Sequence, residues 1–306
     1  MSDLALPAMR PARRSRAWML PYLLSLPALL VCIGILVPFL TAVVYSMQRY
    51  NLAFPAGRGF IWFSNYIDFF SDPAFWNTVK VSAIYTAATV IVELLLGLAI
   101  ALLLRERNWW NNVVSVALLM PLMTAPAIAA LMWKLMTNPG FGVMSWLATQ
   151  AGAGDFRWAS APSSAMFTVV LVDVWVYTPF IMILLLAGLR SLPQAPFEAA
   201  RLDGVPAHFV FRRITLPMLF PYIVTATLFR LLDSIQQFDI VYAMTQGGPG
   251  DSLLVFQVAS YLEFFQYTNV GRSAAMLVVL WAITYALSNV FVKQWLKLKQ
   301  KAHADA

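Results

Sequence analysis

The sequence predicts an all-α integral membrane protein of six transmembrane helices with both ends on the cytoplasmic side. Hydrophobic residues make up 60% of the 306 and charged residues 11%, against about 45–50% and about 25% in soluble globular chains. A soluble fold of this composition would lack the polar surface to cover its core, and a disordered chain is excluded for the same reason. The apolar residues gather in six blocks, each long enough for the roughly 20 helical residues that cross a hydrocarbon core. Within the blocks Leu, Ala, Val and Met run on without two-residue alternation, which excludes a membrane β-barrel.

The first block, residues 18–45, follows an arginine-rich start and resembles a secretory signal. Its apolar run exceeds the about 7–15 residues of such a signal and lacks a clear small-residue cleavage site. It is expected to remain as the first helix of a membrane domain spanning 18–295, behind a mobile tail, 1–17, that serves orientation. The remaining spans are read at 79–104, 113–136, 165–189, 218–243 and 273–295, with a second tail at 296–306. Pro27, Pro38, Pro121, Pro126 and Pro179 fall inside spans and predict kinks. Trp18, Trp62, Tyr66, Trp76, Trp109, Trp110, Trp133, Trp158, Tyr242 and Trp295 cluster near span ends, as an aromatic belt at the headgroup level does.

Basic residues set the orientation. Fourteen lie on one face: Arg10, Arg13, Arg14, Arg16, Arg105, Arg107, Arg190, Arg201, Arg212, Arg213, Lys293, Lys297, Lys299 and Lys301. Six lie on the other: Arg49, Arg58, Lys80, Lys134, Arg157 and Arg272. The richer face is cytoplasmic. The net charge of +7 is thus a topology signal. Its dispersal at helix ends gives no single surface for nucleic acid. With one cysteine, Cys32, and two histidines, His208 and His303, neither a disulfide framework nor a Cys/His metal site is expected.

Outside, the segments 48–78, 137–164 and 244–272 are long enough to form a docking surface. Inside, 105–112 is a tight connection and 190–217 differs in kind. Pro196 suits the first position of a helix, and Glu198 sits in its first turn, where the dipole favours an anion. Ala199 and Ala200 have minimal bulk, Gly204 supplies a left-handed cap and Pro206 blocks continuation. A second short helix over 207–215 carries Phe209, Phe211 and Ile214, with Pro217 marking entry to the next span. A small-residue helix beside exposed aromatics calls for a partner; the plainer reading is a helix lying on lipid headgroups.

Glu198-Ala199-Ala200, three residues, Gly204, nine residues, Ile214, one residue and Leu216-Pro217 resemble the EAA signature of bacterial ABC importer permeases. Trp62-Phe63-Ser64-Asn65-Tyr66, Phe75-Trp76-Asn77-Thr78, Trp133-Lys134, Asn138-Pro139-Gly140-Phe141-Gly142, Phe238-Asp239 and Thr245-Gln246-Gly247-Gly248-Pro249-Gly250 look like further marks of its sugar-transporting subgroup, the membrane subunits of maltose, trehalose and glycerol-phosphate importers. Val205-Pro206 departs from the small, polar residues common after the motif glycine. The resemblance implies the type I ABC importer permease fold, in the bacterial inner membrane. It implies an ATP-binding subunit dimer that receives Glu198, Ala199, Ala200, Asp203 and Gly204 as a coupling helix. It also implies a second, different permease subunit and a periplasmic or extracellular solute-binding protein. ATP and Mg belong to the partner; the chain has no G-x-x-x-x-G-K-[ST] phosphate loop, so it is expected to bind no cofactor and catalyse nothing itself.

Ionisable groups inside a bilayer are costly and mark function by default. Here they are Glu93, Asp173, Arg230, Asp233 and Asp239. Arg230, Asp233 and Gln237 share a helix face at i, i+3, i+7, with Gln236 beside it. On one reading Arg230 and Asp233 neutralise each other and tie helices together. On the other, Asp233, Gln236, Gln237 and Asp239 line the cargo path, Asp173 points to the same space, and Trp175 and Tyr177 offer an apolar face to a sugar ring. Glu93 fits a helix contact or a ligand group equally. A neutral oligosaccharide or glycoside is the first expectation for cargo. An unpaired Arg230 would favour an anionic, phosphorylated or sulfonated, sugar derivative. A channel would show a filter or charged ring and an enzyme an acid–base or nucleophile constellation, and neither is evident. A secondary transporter usually shows internal repeats, which the two halves do not convincingly offer, so an ion-coupled carrier stands as the alternative behind the importer.

Overall fold

The computed structural model describes residues 20–152 and 156–304, so the tail read at 1–17 lies outside the described residues. The described chain is almost wholly helical. In order it runs through α1 (Leu20–Ser46), α2 (Ser64–Ser71), α3 (Pro73–Leu103), α4 (Trp109–Leu118), α5 (Pro126–Met136), α6 (Val143–Gln150) and α7 (Pro162–Ser191). Then come α8 (Ala195–Leu202), α9 (Ala207–Val210), α10 (Leu216–Ser234), α11 (Asp239–Thr245), α12 (Phe256–Phe265) and α13 (Val270–Ala304). A two-stranded antiparallel ladder, β1 (Gln48–Arg49) and β2 (Gly59–Phe60), sets Gln48 opposite Phe60 and Arg49 opposite Gly59.

Local chemistry places the helix starts. Asp72 precedes Pro73, and its carboxylate accepts the Ala74 amide at 2.9 Å. Asn108 caps α4 by accepting the Asn111 amide at 2.7 Å. Each satisfies a donor that a helix start leaves open. Five stretches are long and apolar enough to cross a membrane: Leu24–Ser46, Pro73–Leu103, Pro162–Ser191, Ala207–Ser234 and Val270–Lys293.

The third predicted span departs from the expectation of a single kinked helix. Trp109–Met123 and Pro126–Met136 meet at 92°. Pro121 and Pro126 offer no amide hydrogen, and the residues ahead of Pro126 are extended, with ψ of 137° at Thr124 and 129° at Ala125. A proline forces its predecessor out of the helical region, so the helix breaks rather than bends. The fifth predicted span, 218–243, is also corrected. Its helix stops at Ser234; the Gln236 and Gln237 amides fold back on the Asp233 and Ser234 carbonyls, both at 3.1 Å. The Gln237 side-chain oxygen then takes the Phe238 amide at 3.2 Å, and α11 begins afresh. At the other end of this span no separate short helix stops before Pro217. The chain is helical from Ala207 to Ser234 through a π turn at Phe211–Thr215. The widened turn accommodates Pro217, whose ring would clash with the carbonyl four residues back.

The core is built where α3 packs along α7, with α10 across both. Two apolar clusters stack along α7. One gathers Val169, Val172 and Val176 with Trp133, Val241 and Leu253. The other gathers Ile181, Leu185 and Leu189 with Ala101, Phe197 and Leu219. The long segments read as outer loops hold α2, α6, α12 and the β-ladder. Two of them, 48–78 and 244–272, are braced together by Arg272, which pairs with Asp72 at 2.9 Å and Glu263 at 3.1 Å. By contrast α1 keeps most of its apolar side chains exposed within this chain, touching α13 through Phe39 on Trp281 with ring centroids 5.0 Å apart.

The α3–α7 seam depends on Gly97. A β-carbon there would sit 2.7 Å from Ile181 Cγ2 and 3.1 Å from the Met182 nitrogen. Gly97→Leu is expected to destabilise the detergent-solubilised protein by about 1–3 kcal/mol through overpacking. Gly34→Leu, where a β-carbon meets nothing within 4 Å, is expected to change it by less than about 0.5 kcal/mol. Thermal unfolding followed by near-UV signal checks both.

Candidate functional site

Arg230, on α10, is 1% exposed and lies between α3 and α7. Its Nε and Nη2 donate to the two oxygens of Glu93 at 2.5 and 3.0 Å, a forked pair. Nη2 also meets Asp173 on α7, and Nη1 donates to Asp233, one turn along α10, at 2.7 Å. The guanidinium carbon stands 4.1 Å from the centre of the Tyr177 ring. Gln237 donates to the second oxygen of Asp173 at 3.0 Å, and the hydroxyls of Thr89 and Ser234 meet at 2.9 Å. A charge taken out of water must be paired and hydrogen-bonded. Here one guanidinium meets that demand with carboxylates from three helices.

The network is closed on one side and open on the other. Glu93 and Asp173 are buried, whereas Asp233 is 55% exposed. Of the residues the sequence singled out for a cargo path, Asp173, Tyr177, Arg230, Asp233 and Gln237 are brought together. Gln236 is exposed and turns its amide back to the Leu232 carbonyl at 3.0 Å. Asp239 is exposed in the first turn of α11. Trp175 packs edge-on against Trp133, centroids 5.8 Å apart. The mutual Arg230–Asp233 pairing is present, and Glu93 and Asp173 join it. The unpaired Arg230 that would have favoured anionic cargo is not found. Sequence reasoning did not identify Glu93 as the forked partner; its signal was a lone carboxylate deep inside an apolar block. An aromatic group also escaped it: Phe238 stacks on Tyr242 at 5.0 Å, and Tyr261 meets Tyr242 edge-on at 4.8 Å.

The second feature is α8. Its Phe197 and Ala200 are buried, while Glu198, Ala199, Asp203 and Gly204 are exposed and Leu202 is 90% exposed. Thus four of the five residues proposed for coupling face outward, and Ala200 faces inward beside Phe197. Gly204 has φ of +68°. Its amide donates to the Arg201 carbonyl at 3.2 Å and the Val205 amide to the Ala200 carbonyl at 2.9 Å. This paired closure needs a left-handed residue, which glycine supplies at least cost. Among the described residues no group of three or more His, Cys, Asp or Glu side chains is placed to hold a metal ion.

Residues 93–300 match the family model of the binding-protein-dependent transport system inner membrane component. The trehalose/maltose transport system permease protein of Thermococcus litoralis is 32% identical over 275 residues, covering 90% of this chain and 92% of that one. The sulfoquinovosyl glycerol transport system permease protein of Agrobacterium fabrum is 31% identical, with 89% of this chain and 88% of that one covered. The sn-glycerol-3-phosphate transport system permease protein of Shigella dysenteriae is 30% identical, with 92% and 95% covered. Among solved structures, a chain of a bacterial ABC transporter involved in the import of the acidic polysaccharide alginate superposes with a TM-score of 0.79 at 18% identity, over 92% of this chain and 96% of that one.

The network makes a stability prediction. Arg230→Ala leaves Glu93 and Asp173 buried without a counter-charge, Asp173 keeping the Gln237 amide, and is expected to cost about 3–5 kcal/mol. Glu93→Gln in the same background, which removes one stranded charge, is expected to restore part of that loss. Thermal unfolding of the single and double variants in detergent measures the coupling; additive effects would count against the network.

Proposed function

The chain belongs to the family of binding-protein-dependent transport system inner membrane components, and from that premise we propose that it is a six-span permease subunit of a bacterial ABC importer for a neutral carbohydrate. The bent α4–α5 pair counts as one span in this reading. The excess of basic residues sets both termini, the 105–108 turn and α8 in the cytoplasm, with the protein multi-pass in the inner membrane. The chain would supply half of the pathway, a second homologous permease subunit the other half. A solute-binding protein would dock on the outer segments bearing α2, α6 and α12. ATP and Mg would be held by a dimer of ATP-binding subunits beneath the membrane.

Coupling would run through α8. Its exposed face of Glu198, Ala199, Leu202, Asp203 and Gly204 is small and mixed in polarity, and a β-carbon at Gly204 meets nothing within 4 Å among the described residues. That open space suits a groove on the ATP-binding subunit. Closure of the paired ATP-binding subunits would draw the coupling helices together, and the spans would switch from inward-facing to outward-facing.

The pairing of Arg230 with three carboxylates carries the choice of cargo. Its positive charge is already matched within the chain, and the exposed groups beside it, Asp233, Gln236 and Asp239, offer carboxylate and amide oxygens to hydroxyl donors. An anion brought there would meet carboxylates rather than a free guanidinium. The names of the glycerol-phosphate and sulfoquinovosyl glycerol relatives support the anionic sugar derivative as the second reading.

Two measurements test this reading. In a reconstituted importer, Asp233→Asn is expected to lower binding-protein-stimulated uptake of a neutral sugar about tenfold, the scale of one lost charge-assisted hydrogen bond. Stimulation by phosphorylated or sulfonated sugars alone would replace the neutral reading with the anionic one. Gly204→Phe is expected to abolish uptake while membrane insertion is unchanged. Gly204→Asn, which tolerates the left-handed backbone, separates side-chain bulk from strain. Normal uptake by Gly204→Phe would remove α8 from the coupling role.

A further inference from the structure

A basic cleft opens where α3 and α7 end. Four arginines line it: Arg105 and Arg107 from the turn after α3, Arg190 from the last turn of α7, and Arg201 from α8. One carboxylate, Glu106, faces them. Among the described residues none of the four arginines is ion-paired. Two are held in place by neutral groups. Arg190 donates to the Leu104 carbonyl at 2.9 Å and the Arg105 carbonyl at 3.4 Å. The Arg105 guanidinium lies over the Phe197 ring at 4.2 Å, a contact that leaves its N–H edge free. Arg107 and Arg201 are exposed.

The surroundings say what would fill the cleft. Leu103, on its apolar wall, is 79% exposed. The next helix opens with Trp109 and Trp110, 69% and 68% exposed, and tryptophans of this kind sit at the headgroup level. The cleft therefore lies where hydrocarbon gives way to water, apolar along one wall and strongly cationic at its end. Guanidinium forks match phosphate oxygens, and a basic pocket between spans at this level selects a negatively charged headgroup.

We infer that this cleft is a binding site for an anionic phospholipid, its phosphate held by Arg105, Arg107, Arg190 and Arg201 and an acyl chain lying along Leu103. The lipid would bridge the α3–α4 turn and α8, clamping the exposed helix to the ends of two core spans. The consequence for transport rests on the coupling role proposed above; the binding itself does not.

The test is native mass spectrometry of the complex purified in mild detergent, titrated with phosphatidylglycerol, phosphatidylethanolamine of the same chains, or free glycerol 1-phosphate. Phosphatidylglycerol adducts are expected to persist at concentrations where phosphatidylethanolamine adducts do not. The double substitution Arg105→Gln, Arg107→Gln is expected to weaken phosphatidylglycerol binding at least about tenfold, given about fivefold per basic residue near an anionic surface. Arg105→Lys with Arg107→Lys retains the charges, and its partial binding guards against misfolding as the cause of loss. Equal binding of the two lipids, or full retention in the glutamine variant, overturns the site. Competition by glycerol 1-phosphate as strong as by the lipid reassigns it to a soluble phosphate. Binding that appears only after the ATP-binding subunit is stripped away reassigns the arginines to that partner's acidic surface. Lipid binding without any effect on transport-coupled ATP hydrolysis keeps the site and removes its link to α8.

Discussion

A guanidinium in an apolar interior has to be neutralised on the spot, and that demand organises the centre of this molecule. Arg230 draws Glu93 from α3 and Asp173 from α7 to one point, fixing the rotation and height of three helices relative to one another. Apolar packing alone specifies such alignment weakly, because leucine against leucine tolerates sliding and lipid competes with it on equal terms. Forked hydrogen bonds do not tolerate sliding. Gly97 lets α3 approach α7 closely at Ile181 and Met182, and Glu93 and Asp173 on these two helices both turn to Arg230 on α10. The one carboxylate of the set that faces outward, Asp233, is thereby held at a defined place beside the exposed Gln236 and Asp239.

Much of this was legible in the sequence where its determinants are local. The length and composition of the blocks announced the spans, and Pro196, Glu198, Gly204 and Pro206 announced α8 and its left-handed end. The i, i+3 spacing announced the Arg230–Asp233 pair. What escaped was decided by contacts distant along the chain or by competition for backbone donors. Glu93 and Arg230 are 137 positions apart, and nothing near either identifies the other. Pro121 and Pro126 were read as kinks, yet two missing amides within six residues end a helix outright. Ser234 to Phe238 are polar enough to end α10 because Gln237 offers its own oxygen to the backbone. The helices α2, α6 and α12 are short pieces stabilised by packing, with the Asp72–Arg272–Glu263 brace tying the end of α2 to α12, and they carry no long periodic signal.

The two functional regions follow opposite designs. The arginine network is buried, with its hydrogen bonds closed within one chain, and it fixes geometry. The surface of α8 is exposed, with small side chains, a bare Gly204 and an outward Leu202, and it is the face proposed above to receive a partner. Substitutions at the buried Glu93, Asp173 and Arg230 are expected to act through this chain's own stability, whereas those at the exposed Asp233 and on the exposed face of α8 leave the core packing untouched.

These regions are joined by a single rod. The helix running unbroken over Ala207–Ser234 has 28 residues, so it is about 40 Å long. Its lower end adjoins the cap of α8 and its upper end carries Arg230 and Asp233. A stiff rod is a lever: a tilt of about 10° about one end sweeps the other through about 7 Å at this length. The π turn at Phe211–Thr215 widens the hydrogen-bond register near the lower end, and such a turn is where a helix bends most readily. A push on the α8 end of the rod would thus arrive at Arg230 as a lateral swing, and because Arg230 is tied to Glu93 and Asp173, α3 and α7 would be carried with it as one body.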